Sequence, residues 1–271
     1  MVNHVDRETT LCISLAARPS NHGVRFHNWL YSELGCNFLY KAVAPADIEQ
    51  AVAGIRGLGI RGAGVSMPYR QAVIPLIDAL HPSAERITAV NTIVNDDGHL
   101  TGYNTDYTAV AALLASHDVP ASATAAVRGS GGMAAAVVAA LADHGIEGTV
   151  VARNQQTGPE LAERYGWQWG TEVPHEAQLL VNVTPLGMRG ADEGALAFTE
   201  DEIARSEVVF DVVADPVETP LIRAARAQGK PVINGGEVVA LQAAEQFALY
   251  TGVRPTGAQV ATAEEYAQQG R

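Results

Sequence analysis

The sequence contains few cysteines and no recognisable metal-binding pattern. Its 271 residues include two cysteines, Cys12 and Cys36, which form neither a Cys-x-x-Cys pair nor a zinc pattern. This usage is typical of a protein from a reducing intracellular compartment, and we interpret both thiols as packing residues rather than nucleophiles. The eight histidines show no His-Glu-x-x-His spacing, so we predict no metal site.

Targeting signals, membrane spans and basic clusters are also missing. The opening MVNHVDRETT carries charges and no apolar run, which argues against a secretory signal and predicts a cytoplasmic protein. The most apolar stretch, residues 123–141, is interrupted by Arg128 and a glycine cluster before it reaches membrane-spanning length. A net charge of −12 with no local Lys/Arg cluster would repel a phosphate backbone. We therefore expect neither a membrane nor a nucleic acid as partner.

The first hundred residues alternate short β-rich runs with helix-period segments, which predicts an α/β unit with a mainly parallel sheet. The predicted strands are 11–15, 38–43 and 62–67, and the predicted helices are Asn28–Leu34, Asp47–Leu58 and Arg70–Leu80. Asn91–Asn95 and His99–Tyr103 flank the sequence Asp-Asp-Gly. Because Asp-Gly favours a tight reversal, these two runs predict a β-hairpin.

A second alternation predicts a doubly wound nucleotide-binding domain. A helix at Thr105–Ser116 ends before Asp118-Val119-Pro120, which begins a linker and marks a domain boundary. The strands predicted after it are Thr124–Arg128, Gly148–Ala152, Gln178–Val183, Glu207–Val212 and Pro231–Ile233. The helices predicted after it are Met133–His144, Gly158–Tyr165, Pro220–Gln228, Glu237–Tyr250 and a last one from about Gly257.

A glycine-rich segment lies between the first strand and the first helix of this second alternation. Residues 127–134 read VRGSGGMA and fit Gly-x-Gly-x-x-Ala, with Gly129, Ser130, Gly131, Gly132 and Met133 forming the turn. Gly129 permits a sharp turn, Gly131 lets the backbone approach a pyrophosphate, and Ala134 lets helix and strand pack closely. The helix N-terminus then offers free N–H groups to the phosphates. The alternative is a turn whose glycines serve packing alone.

The end of the next strand indicates which dinucleotide binds. An NAD site usually offers Asp or Glu here to the ribose hydroxyls, whereas this chain has Ala152-Arg153-Asn154. An arginine at this position can pair with a 2′-phosphate, so we predict NADP rather than NAD. The alternative is a solvent-exposed loop arginine without a ligand.

Several segments, in order along essentially the whole chain, resemble the shikimate dehydrogenase family. The matching stretches are VSMPYR (65–70), AVNTI (89–93), YNTDY (103–107), GSGGMA (129–134), ARN (152–154), VNVTPLGM (181–188), DVVADPVETPLI (211–222) and LQAAEQFALYTG (241–252). The opening segment SLAARPSNHGVRFHN (14–28) departs from the usual family pattern and is similar to the shikimate dehydrogenase-like subgroup.

The resemblance implies a two-domain α/β fold. Residues 1–103 would form the substrate-binding domain, residues 104–236 a Rossmann-type NADP-binding domain, and residues 237–271 helices that pack back on the first domain. It also implies a cytoplasmic reaction in aromatic amino acid biosynthesis with a small-molecule substrate, a shikimate-like hydroxy acid. A homodimer is left open.

The resemblance also implies site residues. Asn91, Asp106, Ser66 and Gln242 match substrate-contacting positions, and Asp106 would partner the proton-transfer group. Thr184, Met188, Val213 and Gly235 lie where the family lines its nicotinamide pocket. Each substrate residue has a structural alternative: a helix-dipole role for Asp106, a strand-edge role for Asn91, a turn hydroxyl for Ser66 and a helix-rim position for Gln242.

Three departures from the family pattern concern the substrate site. Arg70 stands where the family has its catalytic lysine, and a guanidinium stays charged under working conditions, so it is a poor general base. Asn21-His22-Gly23 replaces the Ser-x-Ser that grips the substrate carboxylate, and Ser20 and Asn21 are candidates for replacement donors or for helix caps. Ala214 replaces a tyrosine that also reaches the carboxylate. We expect His22 to have a surface or capping role.

These residues lead to three functional hypotheses. The first is slow, NADPH-dependent hydride transfer to a small keto compound, with Asp106 positioning the oxygen and Arg70 polarising it. The second is a non-catalytic NADP-binding sensor that keeps the fold without its proton-transfer residue. The third is a dehydrogenase of quinate or another hydroxy acid.

Overall fold

The computed structural model describes residues 5–269 and divides them into two units, each built on a six-stranded sheet. The first unit comprises the chain up to Thr105 together with the chain from Ala240 onward, and the second is Asp106–Val239. The predicted α/β class with a Rossmann-type domain is confirmed. No helix within residues 5–269 combines the length and the apolar character needed to cross a membrane.

The sheet of the first unit is mainly parallel, as predicted, with antiparallel pairing at β5. Its strands are β1 (Thr10–Leu15), β2 (Phe38–Val43), β3 (Gly62–Val65), β4 (Ala79–Leu80), β5 (Thr92–Asp96) and β6 (His99–Tyr103), in the order β2-β1-β3-β5-β6-β4. β1 runs parallel to β2 and β3, whereas β5 is antiparallel to β3 and β6. Asp97 and Gly98 have φ values of 52° and 92°, which confirms the predicted tight hairpin.

Most helical residues of the first unit, within residues 5–269, lie in five helices. They are α1 (His22–Glu33), α2 (Ile48–Gly57), α3 (Pro82–Glu85), α9 (Gly235–Thr251) and α10 (Gly257–Gln268). The predicted helix Arg70–Leu80 is wrong. Only Ile74–Leu76 forms a single 3-10 turn before β4, because Pro75 has no N–H for a continuing helix and its ring clashes with the preceding turn.

The second unit has a wholly parallel sheet with its helices between strands. The strands are β7 (Thr124–Arg128), β8 (Glu147–Val151), β9 (Gln168–Gly170), β10 (Leu179–Asn182), β11 (Val208–Asp211) and β12 (Val232–Ile233). The helices are α4 (Thr105–Ser116), α5 (Gly132–Asp143), α6 (Thr157–Tyr165), α7 (Glu200–Arg205) and α8 (Pro220–Ala227). The order β12-β11-β10-β7-β8-β9 confirms the predicted doubly wound pattern.

The core of the first unit contains an aromatic cluster around a buried histidine. His27 lies 4.3 Å from Tyr40 and 6.4 Å from Phe247, ring centroid to ring centroid, in stacked arrangements. Burial lowers the pKa of His27 from 6.5 to about 3, because the charged imidazolium loses its hydration. His27 is therefore a neutral core residue at physiological pH.

Candidate functional site

The glycine-rich turn lies at the point where the strand order of the second sheet reverses. β7 and β10 are neighbours, with Arg128 opposite Asn182. Gly129 has φ +121°, and a Cβ atom there would lie 2.9 Å from Val183 Cγ2 and 3.1 Å from Thr184 Cγ2. Only glycine fits this backbone and this space. In open α/β sheets, the crevice at such a reversal is where ligands bind.

The next residues leave backbone N–H groups accessible. Gly131 precedes α5 and provides no side-chain cap, and a Cβ atom at Gly131 or Gly132 would meet nothing within 4 Å. Met133 is half-buried, and Ala134 is fully buried against the sheet. The first turn of α5 therefore opens onto free space, which suits an anionic group that accepts from main-chain amides.

The end of β8 lies beside this turn. The Ala152 N–H donates to the Gly170 carbonyl at 3.0 Å, and the Asn154 Oδ1 accepts from the backbone amides of Gln156 and Thr157. Ser130 Oγ lies 2.6 Å from Thr157 Oγ1, which links the glycine-rich turn to the start of α6. The Asn154 oxygen thus serves the helix, whereas the Arg153 side chain is exposed to solvent.

A second arginine contributes positive charge to the same strand ends. The Arg128 guanidinium lies 4.9 Å above the Phe198 ring and is half-buried. Burial lowers the pKa of Arg128, Glu202 opposes that change, and the nearby charge of Arg153 adds to it. The two arginines are therefore close enough to repel, which favours an anion near them.

A buried polar network fixes the loop after β10. Asn182 Oδ1 accepts from the Thr184 N–H at 3.0 Å and from the Thr184 hydroxyl at 2.6 Å, and its Nδ2 donates to Asp211 Oδ1 at 3.0 Å. Asp211 also accepts from the Thr219 hydroxyl and the Val213 amide. Burial raises the pKa of Asp211. The sequence analysis did not single out Asn182 or Asp211. Both lie within family-like stretches, VNVTPLGM and DVVADPVETPLI, but nothing else in the sequence distinguishes them.

The four predicted nicotinamide-pocket residues lie in this region. Thr184 and Val213 are joined through the Asn182–Asp211 pair. A Cβ atom at Gly235 would lie 2.2 Å from the Val213 carbonyl oxygen, so the backbones approach too closely for any side chain. Met188 is 44% exposed, and its side chain is free to contact a ligand.

In the first unit, the loops after β1 and β3 lie side by side. The Ala17 N–H donates to the Met67 carbonyl at 3.3 Å, and the Ser66 N–H donates to the Leu15 carbonyl at 2.9 Å. Ser20, Asn21 and Ser66 are exposed there. Asn21 occupies the N-cap position of α1, in line with its alternative as a helix cap, but its side chain makes no cap hydrogen bond.

Asn91 is held by its amide oxygen and keeps its amide nitrogen unused. Asn91 Oδ1 accepts from the Thr105 N–H at 2.8 Å, the Thr92 hydroxyl at 2.9 Å and the Thr105 hydroxyl at 3.2 Å. Its Nδ2 is buried and has no protein acceptor among the described residues. A buried donor without an acceptor is costly, so this geometry favours a ligand oxygen at that position.

The remaining predicted residues lie on neighbouring segments. The Arg70 carbonyl accepts from the Val90 N–H at 2.9 Å, which places the half-buried Arg70 beside the segment that carries Asn91. Asp106 is 6% exposed in the first turn of α4 and directly follows Thr105. Gln242 is half-buried on α9. One turn later, Gln246 donates to the Asn91 carbonyl at 3.2 Å, a contact that sequence reasoning missed.

His22 has a different role from the one we predicted. Its Nε2 lies 3.0 and 2.9 Å from the two carboxylate oxygens of Glu264, and both side chains are largely buried. This pair joins the start of α1 to α10, so the surface or capping role is wrong.

Among residues 5–269, no three His, Cys, Asp or Glu side chains form a group that could hold a metal ion. Burial raises the pKa of the Cys12 thiol to about 12, which fits a packing role.

Comparisons with known proteins agree with this geometry. Residues 21–93 match the model of the shikimate dehydrogenase substrate binding domain. A shikimate dehydrogenase-like protein of Haemophilus influenzae is 49% identical over 267 residues, covering 97% of this chain and 98% of that protein. A shikimate dehydrogenase (NADP(+)) of Streptococcus uberis is 36% identical over 270 residues, covering 90% of this chain and 91% of that protein.

A solved structure gives the same result. Shikimate 5-dehydrogenase of Thermus thermophilus, in complex with NADP(H) and shikimate, superposes with a TM-score of 0.85 at 30% sequence identity. The match covers 97% of this chain and 100% of that one. The similarity thus extends over both units.

Proposed function

Because the chain belongs to the shikimate dehydrogenase family, we propose that it is an NADP-dependent oxidoreductase that interconverts a small keto acid and its hydroxy acid. The model reaction is 3-dehydroshikimate plus NADPH to shikimate plus NADP, and we expect it to be slow here. The observation that carries the proposal is the Gly129 turn, which fits no side chain and opens onto the free amides of α5.

The second unit supplies groups that fit the dinucleotide. The amides of Gly131, Gly132 and Met133 would donate to the diphosphate, and Arg153 would pair with a 2′-phosphate. Ala152, Ser130 and Asn154 shape that strand end, and Thr184, Met188, Val213 and Gly235 would line the nicotinamide side. When bound, NADPH supplies the hydride, so the protein has to orient the substrate and provide a proton.

The first unit supplies groups that fit a polyhydroxylated ring. Asn91 Nδ2 is a buried donor without a protein acceptor among the described residues and would donate to a ligand oxygen, and Ser66, Gln242, Ser20 and Asn21 offer further polar groups. Asp106 follows the Thr105 that holds Asn91. We assign Asp106 to a ring hydroxyl and to proton transfer, because a carboxyl group can both accept and donate a proton.

Arg70 sets the expected rate. In the reductive direction the substrate carbon gains a hydride and its oxygen gains a proton. A guanidinium does not release a proton at working pH, so Arg70 can orient the oxygen and stabilise its negative charge but cannot protonate it. The proton therefore comes from water through Asp106. Loss of a positioned acid–base group costs about 10²- to 10⁴-fold in rate.

Arg70→Lys tests this account. The variant restores a group that can give and take a proton, so NADPH-dependent reduction of 3-dehydroshikimate should rise by about 100-fold. NADPH oxidation is followed by absorbance. Arg70→Met serves as the matched control that removes the charge, and Asp106→Asn in the Arg70→Lys background should abolish the gain. An Arg70→Lys variant that binds NADPH yet reacts no faster would show that the account of Arg70 is wrong.

A second candidate is a non-catalytic NADP-binding module, and Arg70 is the observation that favours it. The two candidates differ in one measurement. Incubation of the protein with NADPH and 3-dehydroshikimate or 3-dehydroquinate consumes NADPH if the protein is an enzyme. Calorimetric binding of NADPH without any consumption supports the module instead.

A further inference from the structure

We infer that Gln246, on α9, is a positioning residue that aims the Asn91 carboxamide at the substrate. The inference rests on the proposed function, since it treats Asn91 as a substrate-binding group. It concerns a side chain that would not itself touch the substrate. Four features of the first unit carry it: the two ends of Asn91, the contacts of Gln246, the histidine behind Gln246 and the glycine beside it.

The oxygen and the nitrogen of the Asn91 carboxamide differ in their hydrogen bonding. Its oxygen accepts three hydrogen bonds, from the Thr92 hydroxyl and from the N–H and hydroxyl of Thr105. Its nitrogen, in contrast, is buried without a protein acceptor. The amide is thus turned so that its only unused group is a donor. The side chain is 1% exposed, so rotation to satisfy the donor with bulk water is blocked.

Gln246 hydrogen bonds to the backbone of Asn91 and to the side chain of the next residue, Thr92. Its Nε2 donates to the Asn91 carbonyl at 3.2 Å and to the Thr92 hydroxyl oxygen at 2.9 Å. The Thr92 hydroxyl then has its hydrogen directed to Asn91 Oδ1, because its oxygen already accepts from Gln246. One side chain therefore fixes both the position of Asn91 and the direction of a bond to its oxygen.

His27 lies behind Gln246. The Gln246 side chain is close enough to the buried imidazole to raise the pKa of His27 against the larger lowering by burial. An imidazole that donates to Gln246 Oε1 would leave Gln246 Nε2 turned toward Asn91 and Thr92, where its two hydrogen bonds lie. The stacked Tyr40 and Phe247 rings keep the imidazole in place.

A glycine makes room for this arrangement. A Cβ atom at Gly64 on β3 would lie 2.8 Å from the Tyr40 hydroxyl and 3.6 Å from Gln246 Nε2. Any side chain at residue 64 would displace the ring that packs on His27. The lack of a side chain at residue 64 therefore leaves space for Gln246 to reach from α9 to the start of β5.

Gln246→Leu tests the inference. It removes both hydrogen-bonding ends at similar volume, so the dissociation constant of shikimate from the NADP⁺-saturated protein should rise about tenfold. The dissociation constant of NADP⁺ alone should change less than twofold. Calorimetry measures both. The matched control is Asn95→Leu, which removes a buried amide bonded to Ile55, Ile60 and Gly98 in the same sheet. It should lower the melting temperature and leave the shikimate constant unchanged.

A crystal structure of Gln246→Leu provides a second readout that does not depend on shikimate. We expect the Asn91 Oδ1 to Thr105 N distance, 2.8 Å in the native protein, to exceed hydrogen-bonding length. If Asn91 keeps its place and orientation, the inference is overturned, whether or not shikimate binds. If the native protein binds no shikimate but Asn91 does move, the proposed function fails and the positioning role stands. Gln246→Met, unbranched and of similar length, replaces the leucine variant should that one fail to fold.

Discussion

The two units differ in how far apart in sequence their ligand-binding groups lie. In the second unit, the groups that we propose bind the dinucleotide come from one turn at 127–134 and one strand end at 152–154, joined by the Ser130–Thr157 bond. In the first unit, Asn91 is held by Thr105 from 14 residues away and by Gln246 from 155 residues away. A local motif can tolerate a change in distant packing, whereas a site assembled from distant segments cannot.

The same contrast applies to chemistry. The second unit has the glycines of the proposed dinucleotide turn, and it has Arg153 at the strand end where we propose that a 2′-phosphate binds. The first unit keeps Asn91 but has Arg70 and Gly23 where the family resemblance predicts a lysine and a serine. We therefore expect cofactor affinity to be near that of an ordinary family member, and substrate affinity and rate to be lower.

Gly129→Ala should have the largest effect on the second unit. The added Cβ atom would lie 2.9 Å from Val183 Cγ2, on a backbone at φ +121°. Strain of about 1–3 kcal/mol plus the displaced loop should weaken NADP⁺ about 100-fold, as measured by calorimetry. Gly194→Ala, where a Cβ atom meets nothing within 4 Å, is the control. Unchanged NADP⁺ affinity in Gly129→Ala would remove the turn from the binding site.

Acid should destabilise the first unit through His27. Unfolded His27 binds a proton below about pH 6.5 and folded His27 only near pH 3, so its stabilising contribution is complete above pH 6.5 and is lost toward pH 3. Relative to alkaline pH, the loss at pH 5 is about 2 kcal/mol, or about thirtyfold in the unfolding equilibrium. His27→Phe should flatten this dependence in urea titrations. Equal pH slopes in the two proteins would contradict it.

In the second unit, one residue, Asp211, should make the folded state more stable as the pH falls. Burial raises the pKa of Asp211 in the folded state, so the folded chain takes up that proton first and gains stability as the pH falls through the raised pKa. In the urea titrations, the first unit should therefore unfold earlier than the second at low pH.

Arg153→Gln should have the smallest of these effects. Loss of one charge-assisted bond to a 2′-phosphate costs about 1.5 kcal/mol, so NADPH should bind about tenfold more weakly while NADH is unaffected. Fluorescence titration with both nucleotides measures the difference. Arg205→Gln, at an exposed position of α7, is the control. Equal weakening of NADPH and NADH would mean that Arg153 does not recognise the 2′-phosphate.

Features encoded in short stretches of sequence could be predicted. The Asp97-Gly98 reversal and the turn at Gly129 both follow from the backbone freedom of glycine, and Gly98 and Gly129 both have a positive φ in the structure. The doubly wound order follows from the alternation of strands and helices. These features depend on neighbours in the chain, so composition and spacing contain the information.

Features that depend on distant residues could not be predicted. The apolar residues of 70–80 suggested a helix, but Pro75 and the pairing of β4 with β6 determine the actual structure. Helix α1 begins at His22 rather than Asn28, because Glu264 and the buried Phe26 hold its first turn. Gln246 is one turn from the predicted Gln242, and only the folded chain shows that it reaches Asn91.

The discontinuous first unit also bears on how the protein is made. During synthesis, residues 106–239 leave the ribosome before the segment from Ala240 onward. Until then, the aromatic cluster lacks Phe247 and Tyr250, and His22 lacks Glu264. The second unit can therefore finish folding during synthesis, whereas the first unit has to wait with an open apolar face for the last helices to emerge.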